Sequence, residues 1–196
     1  MAYHVDALRV LIVPGLHGSG AGHWQSWLQG RLRGAVRVEQ DDWDHAEPDA
    51  WAARIGETIA RHGGSWVAVA HSFGCIALAR HAVLTGAPGV AAALLVAPAE
   101  PARFGCAALL PQTALPFRSQ LVASRNDPWM SFDSARSWAR CWGSELFDLG
   151  EAGHINCDSG FGPWPRGARL LQRQLQAVER RRRLQRAGAL ELRHAV

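Results

Sequence analysis

Residues 65–84 read SWVAVAHSFGCIALARHAVL, and this stretch decides the fold. The apolar run from Ser65 to Ala70 is typical of a strand that is covered on both faces, and the alanine-rich segment from Phe73 to Leu84 predicts a helix directly after it. Because a strand covered on both faces needs a layer of helices on each side, the stretch indicates a parallel sheet inside an α/β protein.

The same alternation of strands and helices continues in both directions along the chain. Leu8 to Pro14 (LRVLIVP) is another nearly continuous apolar run and predicts an interior parallel strand. Further strands are predicted at 36–39, 91–97, 119–123 and 145–149, and helices at 24–32, after Pro48, at 132–142 and at 167–184. The pattern predicts a three-layer α/β sandwich with a mostly parallel sheet of about six strands and right-handed crossovers.

Length and composition favour one globular domain over residues 1–196. The chain has 196 residues, of which 48% are apolar and 19% charged, a balance that excludes a wholly disordered or collagen-like protein. The longest apolar stretches, such as Val90 to Ala99, are shorter than the roughly 18 residues of a membrane span, and no signal-peptide pattern opens the chain. We expect a cytoplasmic protein that does not bind membranes.

The positive charge of the chain is concentrated at its end. The net charge is +4, and the segment 179–196 holds six arginines and two glutamates, which leaves 15 arginines and 15 acidic residues before it. A solvated helix end explains such an arginine-rich tail more simply than an RNA contact does. We therefore expect no nucleic-acid partner.

The cysteines and the remaining metal-ligand residue types predict neither disulfides nor a metal site. Cys75, Cys106, Cys141 and Cys157 show no Cys-x-x-Cys spacing, so free thiols are expected. His154, Cys157 and Asp158 lie close in sequence, but no second pair of ligands with zinc spacing accompanies them. No metal or other cofactor is expected.

The pentapeptide from Ala70 to Gly74 (AHSFG) has the pattern of a nucleophile elbow. A sharp turn from strand to helix requires small residues two positions before and two after the serine, and Ala70 and Gly74 meet that need, although Ala70 replaces the usual glycine. Such a turn raises the Ser72 hydroxyl above the sheet and directs the Phe73 amide at a developing oxyanion. A serine that merely caps a helix after a buried strand is the alternative interpretation.

A serine nucleophile needs a histidine base and a carboxylate that orients the base. Asp127 follows the fifth predicted strand and His154 follows the sixth, which gives the chain order serine, acid, histidine of α/β-hydrolases. The rival acids after the second strand are Asp41, Asp42 and Asp44. Of the other histidines, His17 and His23 flank the first loop and His71 lies beside the serine. None of these three follows the last strand, and each is expected to be structural or pocket-lining.

The glycine-rich loop between Pro14 and Trp24 does not match a phosphate-binding motif. The chain contains no lysine for a P-loop, and His23 stands where the third glycine of a dinucleotide site would fall. We expect this loop to supply a second oxyanion amide beside that of Phe73, from Leu16, His17 or a neighbour up to Ser19.

Nine tryptophans are many for a chain of this length, and three of them lie near the predicted site loops. Together with His23, the indoles of Trp24, Trp129 and Trp164 are candidates to line a substrate pocket. Buried indoles also contribute large apolar areas, so these side chains could equally clamp the loops onto the domain. Both interpretations stay open.

Four segments carry a joint resemblance: PGLHGSGAGHWQSW (14–27), VAHSFGC (69–75), LPFRSQLVASRNDPW (115–129) and GEAGHINCDSGFGPWPRG (150–167). Together they resemble one family of small serine hydrolases, the family that includes retinoblastoma-binding protein 9 and its bacterial relatives. The resemblance implies a reduced, lidless α/β-hydrolase fold, with Ser72, Asp127 and His154 in the nucleophile, acid and base positions.

The resemblance implies hydrolysis of small esters or amides through an acyl-enzyme. Two other classes stay open, namely a non-catalytic protein-binding module on a hydrolase fold and an acyltransferase or lyase that uses the same triad. The sequence indicates neither the physiological substrate nor the oligomeric state.

Overall fold

A computed structural model describes residues 8–194, with side chains described for residues 8–188. Residues 1–7 and 195–196 lie outside the described residues, as do the side chains at 189–194. The outer limits of the predicted 1–196 domain and the end of the predicted arginine-rich tail therefore fall outside the description, the Arg193 side chain included.

The centre of the molecule is a six-stranded sheet in which every neighbouring pair of strands is parallel. The strand order is β2-β1-β3-β4-β5-β6. The strands are β1 (Leu8–Val13), β2 (Val36–Arg37), β3 (Ser65–Ser72), β4 (Val90–Pro98), β5 (Arg118–Ala123) and β6 (Glu145–Asp148). The predicted parallel sheet is confirmed, and its second strand is shorter than the predicted segment 36–39.

Within residues 8–194, five α-helices accompany the strands: α1 (Trp24–Gln29), α2 (Pro48–His62), α3 (Phe73–Thr85), α4 (Phe132–Cys141) and α5 (Pro165–His194). Helix α5 begins two residues before the predicted Gly167 because proline is favoured in the first turn, where its missing N–H costs no hydrogen bond. Helix α1 ends before Gly30, earlier than the predicted Leu32. Among the described residues, no helix has both the length and the apolar character needed to cross a bilayer.

Alternate residues of each interior strand face two separate cores. On one face, Leu11 and Ala68 pack with α2, α3 and α4, whereas Ile12 and Val69 pack on the other face with α1 and α5. Burial on both faces explains why the strands read as continuous apolar runs. Each fully buried leucine or isoleucine contributes about 1.5–3 kcal/mol of transfer free energy to this arrangement.

The carboxyl ends of the parallel strands meet at one edge of the sheet, and the loops of the predicted site begin there. The excursion after β4 contains two short 3₁₀ helices, Pro101–Phe104 and Ala107–Leu109, in place of a helical lid. The site edge is therefore covered by short loops.

Candidate active site

Ser72 lies at the sharp turn between β3 and α3. Its φ and ψ angles are 53° and −125°, a left-handed φ that is rare for a residue with a side chain. A Cβ built on Gly74 would lie 2.6 Å from the Val13 carbonyl oxygen, and one built on Gly15 would lie 2.7 Å from the Ser72 Cβ. Glycine at both positions lets the loop after β1 approach the turn, as a nucleophile elbow requires.

The structure brings together Ser72, His154 and Asp127, the three residues predicted as nucleophile, base and acid. His154 Nε2 lies 2.9 Å from Ser72 Oγ, and His154 Nδ1 lies 2.9 and 3.0 Å from the two Asp127 carboxylate oxygens. The side chains of His154 and Asp127 are 8% and 3% exposed. Because an ionised carboxylate can only accept, Nδ1 carries the proton and Nε2 is left to accept from the Ser72 hydroxyl.

Asp127 and His154 are themselves held by neighbouring residues. One Asp127 oxygen accepts a hydrogen bond from the Trp129 amide at 2.9 Å. The His154 amide donates to Ser159 Oγ at 3.1 Å, and that hydroxyl donates onward to the Asn156 side-chain oxygen. Each of these contacts lies within one loop, so they hold Asp127 within the loop after β5 and His154 within the loop after β6.

Phe73 and Leu16 remain candidate oxyanion donors, whereas the prediction for the His17 amide is wrong. The His17 amide donates to the Trp43 carbonyl at 2.9 Å and is already used. A Cβ on Gly15 would lie 3.4 Å from the Phe73 nitrogen, so the loop that continues into Leu16 passes close to the amide of Phe73. The His17 side chain instead bonds Asp44 through Nδ1 at 2.8 Å.

A cavity of about 300 Å³ opens at Ser72. Its apolar wall contains Leu16, Phe104 and Trp129. The remaining lining side chains are mostly polar: His17, His23, His71, His154, Asn156, Cys157 and Asp158. Sequence reasoning missed Phe104 as a lining residue, because nothing in the excursion after β4 distinguishes it from a core side chain.

The three tryptophans near the site divide between the two predicted roles. Trp129 lines the cavity, is 40% exposed, and has its ring centroid 5.9 Å from that of His154. Trp164 lines a separate cavity with Gly153 and Ser159, but neither Trp164 nor Trp24 borders the cavity at Ser72, and they are 6% and 1% exposed. Their rings meet edge to face at 5.1 Å in the core beside α1 and α5, where they clamp loops through their large apolar areas.

The two histidines nearest the predicted base stay uncharged near neutral pH. Burial, reinforced by Arg37 and His154, lowers the pKa of His23 to about 4. Burial, reinforced by His154 and His23, also holds the pKa of His71 well below its ordinary value. Neither side chain therefore competes with His154 for a proton, although both line the cavity.

The buried Cys75 is a poor rival nucleophile, and the described residues form no metal centre. Burial raises the pKa of the Cys75 thiol, whose sulfur lies 3.7 Å from the Val96 carbonyl, so this thiol stays protonated. No three histidine, cysteine or acidic side chains within the described part of the chain are grouped to hold a metal ion.

The rival acids have other partners. Asp42 accepts hydrogen bonds from the amides of Asp44 and His45 in the loop after β2, and Asp44 pairs with His17. Asp127 is the carboxylate that bonds His154. The choice of acid made from the chain order therefore agrees with the geometry.

Comparison with known proteins gives the family. A family model described as serine hydrolase matches residues 10–173, a range that includes Ser72, Asp127 and His154. The chain belongs to the serine hydrolase family. The predicted serine hydrolase family is thereby confirmed, and the parallel six-stranded sheet together with similar solved structures confirms the reduced α/β-hydrolase fold. No curated protein sequence matches the chain significantly.

Solved structures similar to this serine hydrolase include two of the YdeN type. A crystal structure described as a YdeN-like hydrolase from Pectobacterium atrosepticum is 39% identical, with coverage of 87% of this chain and 92% of that one and a TM-score of 0.83. The ydeN gene product of Bacillus subtilis is 20% identical over 87% of this chain and 100% of that one, with a TM-score of 0.71. An esterase from Exiguobacterium antarcticum, 13% identical with a TM-score of 0.58 and coverage of 76% and 85%, shares the fold.

Proposed function

We propose that this protein hydrolyses small carboxylic esters or amides through an acyl-enzyme on Ser72. The observation that carries the proposal is the continuous hydrogen-bonded chain from Ser72 Oγ through His154 to Asp127. A serine hydroxyl at its free pKa is a weak nucleophile, and a neutral imidazole with Nε2 facing the hydroxyl removes that limitation. The partner in this proposal is a small molecule, and neither nucleic acid nor a membrane takes part.

The acylation step follows from the positions of these atoms. Ser72 Oγ attacks the substrate carbonyl carbon while His154 Nε2 takes the hydroxyl proton, and Asp127 stabilises the imidazolium that forms. The carbonyl electron pair moves onto the oxygen, which the Leu16 and Phe73 amides stabilise. When the carbonyl re-forms, the bond to the leaving group breaks, and His154 gives its proton to the departing alcohol or amine.

Deacylation repeats the same steps with water. His154 removes a proton from a water molecule as its oxygen attacks the acyl carbon, and the second oxyanion uses the same two amides. Collapse releases the carboxylic acid, and the proton on His154 returns to Ser72 Oγ. Because His71 and His23 are uncharged, the positive charge of the cycle develops on His154, beside Asp127.

The cavity supports a small acyl group. Its volume of about 300 Å³ lies at the lower end of ligand pockets, and the apolar wall of Leu16, Phe104 and Trp129 provides a surface for a short hydrocarbon chain. The short 3₁₀ turns after β4 extend that wall no further than Phe104.

A fluorophosphonate probe followed by peptide mass spectrometry tests the proposal. We expect one adduct on Ser72 in the parent protein and none in Ser72→Ala. Ser119→Ala is the matched control. Ser119 is also buried, but it lies at the start of β5 and its hydroxyl hydrogen-bonds the Ser144 hydroxyl. An unlabelled parent would favour the protein-binding module.

Product analysis separates hydrolysis from the other chemistries on the same triad. We expect p-nitrophenyl acetate and an aryl amide to yield free carboxylic acid in water alone. Products that form only when an acceptor alcohol or amine is added would identify an acyltransferase instead. The ratio of ester to amide turnover gives the substrate class.

A further inference from the structure

The loop that carries His154 is held from behind at two consecutive backbone carbonyls. The His154 carbonyl lies 3.0 Å from His71 Nε2, and the Ile155 carbonyl accepts the Trp24 indole N–H at 2.8 Å. Because a carbonyl oxygen can only accept, neutral His71 carries its proton on Nε2. Both donors are buried, with 5% of His71 and 1% of Trp24 exposed.

The backbone at this point needs such support. Ile155 has a φ of 51° and is fully buried. A β-branched side chain in the left-handed region is strained, so this conformation persists only where the surroundings enforce it. Relaxation of Ile155 would move the preceding residue, which is His154. The two N–H groups oppose that relaxation on either side of the strained bond.

The donors belong to elements that cannot easily move. His71 lies in β3 directly before Ser72, and Trp24 is the first residue of α1. The rings of Trp24 and His71 meet edge to face at 5.9 Å, and the ring of His23 packs against both, at 5.4 and 4.9 Å. Rigid packing of this kind fixes the direction of both N–H groups. The loop of the base is thus tied to the strand that carries the nucleophile.

We infer that Trp24 and His71 are positioning residues for His154. His71 holds the His154 carbonyl and Trp24 holds the Ile155 carbonyl, so that the imidazole stays between Ser72 and Asp127. The inference rests on the proposed function, since it gives these two side chains a role in the same reaction. They act through the backbone of residues 154 and 155, and the reacting atoms are contacted by His154 alone among these three side chains.

Substitutions that remove one N–H at a time test the inference. Trp24→Phe keeps an aromatic ring without the donor, and His71→Asn has a side chain too short to reach the His154 carbonyl. A displacement of about 1 Å at a catalytic group costs up to about 100-fold in rate. We expect kcat to fall about 10-fold in Trp24→Phe and about 10- to 100-fold in His71→Asn, with KM changed less than about 3-fold.

Rescue and matched controls separate positioning from general destabilisation. His71→Gln places a side-chain N–H near the original Nε2 and should recover most of kcat. Trp66→Phe removes a buried indole N–H, near the opposite end of β3, that has no hydrogen-bond partner among the described residues. His81→Gln replaces another buried histidine. Both controls should keep the parental kcat even where their melting temperatures fall.

A proton NMR signal gives a readout that does not depend on turnover. The His154 Nδ1 proton that bonds Asp127 resonates far downfield and is visible only while the pair is held together and shielded from exchange. We expect a sharp signal in the parent, Trp66→Phe and His71→Gln, and a broadened or absent one in folded Trp24→Phe and His71→Asn.

The outcomes distinguish this inference from the proposed function. A parent that reacts with fluorophosphonate and turns over esters, while Trp24→Phe and His71→Asn match Trp66→Phe in kcat and in the downfield signal, would overturn the inference and leave the function standing. An unreactive parent would overturn the function, and the NMR comparison would still decide whether the two donors hold His154.

Discussion

Two histidines that line the same cavity each pair with a carboxylate at nearly the same distance. His154 Nδ1 lies 2.9 Å from an Asp127 oxygen, and His17 Nδ1 lies 2.8 Å from an Asp44 oxygen. Their surroundings differ: the side chains of the first pair are 8% and 3% exposed, and those of the second are 76% and 81% exposed. The hydrogen-bond length alone therefore does not identify the pair that would act in catalysis.

Burial and a third partner distinguish the two pairs. Water screens the exposed pair, and such pairs contribute about 0–1 kcal/mol. The buried pair lies in a medium of lower effective dielectric, where the Asp127 charge acts more strongly on a developing imidazolium. His154 also contacts the Ser72 hydroxyl. Burial and the contact with Ser72 make the His154–Asp127 pair a candidate for catalysis, whereas the His17–Asp44 pair is a surface contact.

Removal of the serine should have the largest effect, because it deletes the partner that only the buried pair has among the described contacts. We expect Ser72→Ala to lower kcat by about 10⁴-fold or more at unchanged melting temperature, measured with p-nitrophenyl acetate. Ser119→Ala should match the parent. Equal turnover by Ser72→Ala and the parent would show that neither Ser72 nor the buried His154–Asp127 pair acts in catalysis.

The two carboxylates allow a direct comparison of the pairs. Asp127→Asn should lower kcat by about 10³- to 10⁴-fold, because the amide favours the wrong tautomer of His154. Asp44→Asn is the matched change in the exposed pair and should alter kcat less than about 2-fold. If the Asp44 variant lost turnover and the Asp127 variant kept it, the assignment of the acid would be reversed.

Burial also lowers the pKa of two histidines near the buried pair, His23 and His71, and this should make the free energy of unfolding depend on pH. The pKa of His23 is about 4 in the folded protein and 6.5 in the unfolded chain. Between these two pH values the unfolded chain therefore binds a proton at His23 that the folded chain does not. The free energy of unfolding should fall by about 3 kcal/mol from this group between pH 7 and pH 4. His71 acts in the same direction.

Urea unfolding measured from pH 7 down to pH 4 checks this slope. His23→Asn should flatten it, because asparagine can still cap α1 but does not titrate. A variant with the full parental slope would show that His23 does not contribute to acid destabilisation.

The smallest effect concerns the length of the acyl chain. The cavity is lined by the buried His154 at one side and by the exposed His17 at another. A long acyl chain therefore extends from the buried side of the cavity towards water. Each methylene left in water gains none of the roughly 0.8 kcal/mol that burial would supply. We expect kcat/KM for p-nitrophenyl esters to be at least as high for chains of about two to six carbons as for longer ones. A steady rise to palmitate would mean that the apolar wall is deeper than the cavity indicates.

The sequence was sufficient for the features that depend on local pattern. The apolar runs of β1 and β3 and the small residues around Ser72 predicted the sheet and the turn, and chain order selected Asp127 and His154. Each of these signals lies within one short segment. Local patterns of this kind survive because strands covered on both faces admit few polar residues.

The features that the sequence did not supply depend on contacts between distant segments. The His17 amide turns away from the site because it bonds the Trp43 carbonyl, 26 residues later. Trp24 reaches the Ile155 carbonyl across 131 positions, which is why its position beside the site loops was ambiguous. Direction of an N–H or an indole ring is set by such long-range packing, and residue type alone does not encode it.

The exposed position of Trp129 makes its intrinsic fluorescence a probe of the site. The nine tryptophans all lie within the described residues, and Trp129 alone among them is an exposed side chain. A soluble quencher such as iodide should therefore reach this indole first, while the buried indoles continue to emit. Because Trp129 lines the cavity beside His154, a ligand that enters the site would shield it and shift its emission to shorter wavelength. Intrinsic fluorescence thus offers a way to screen for ligands of this site without a chromogenic substrate.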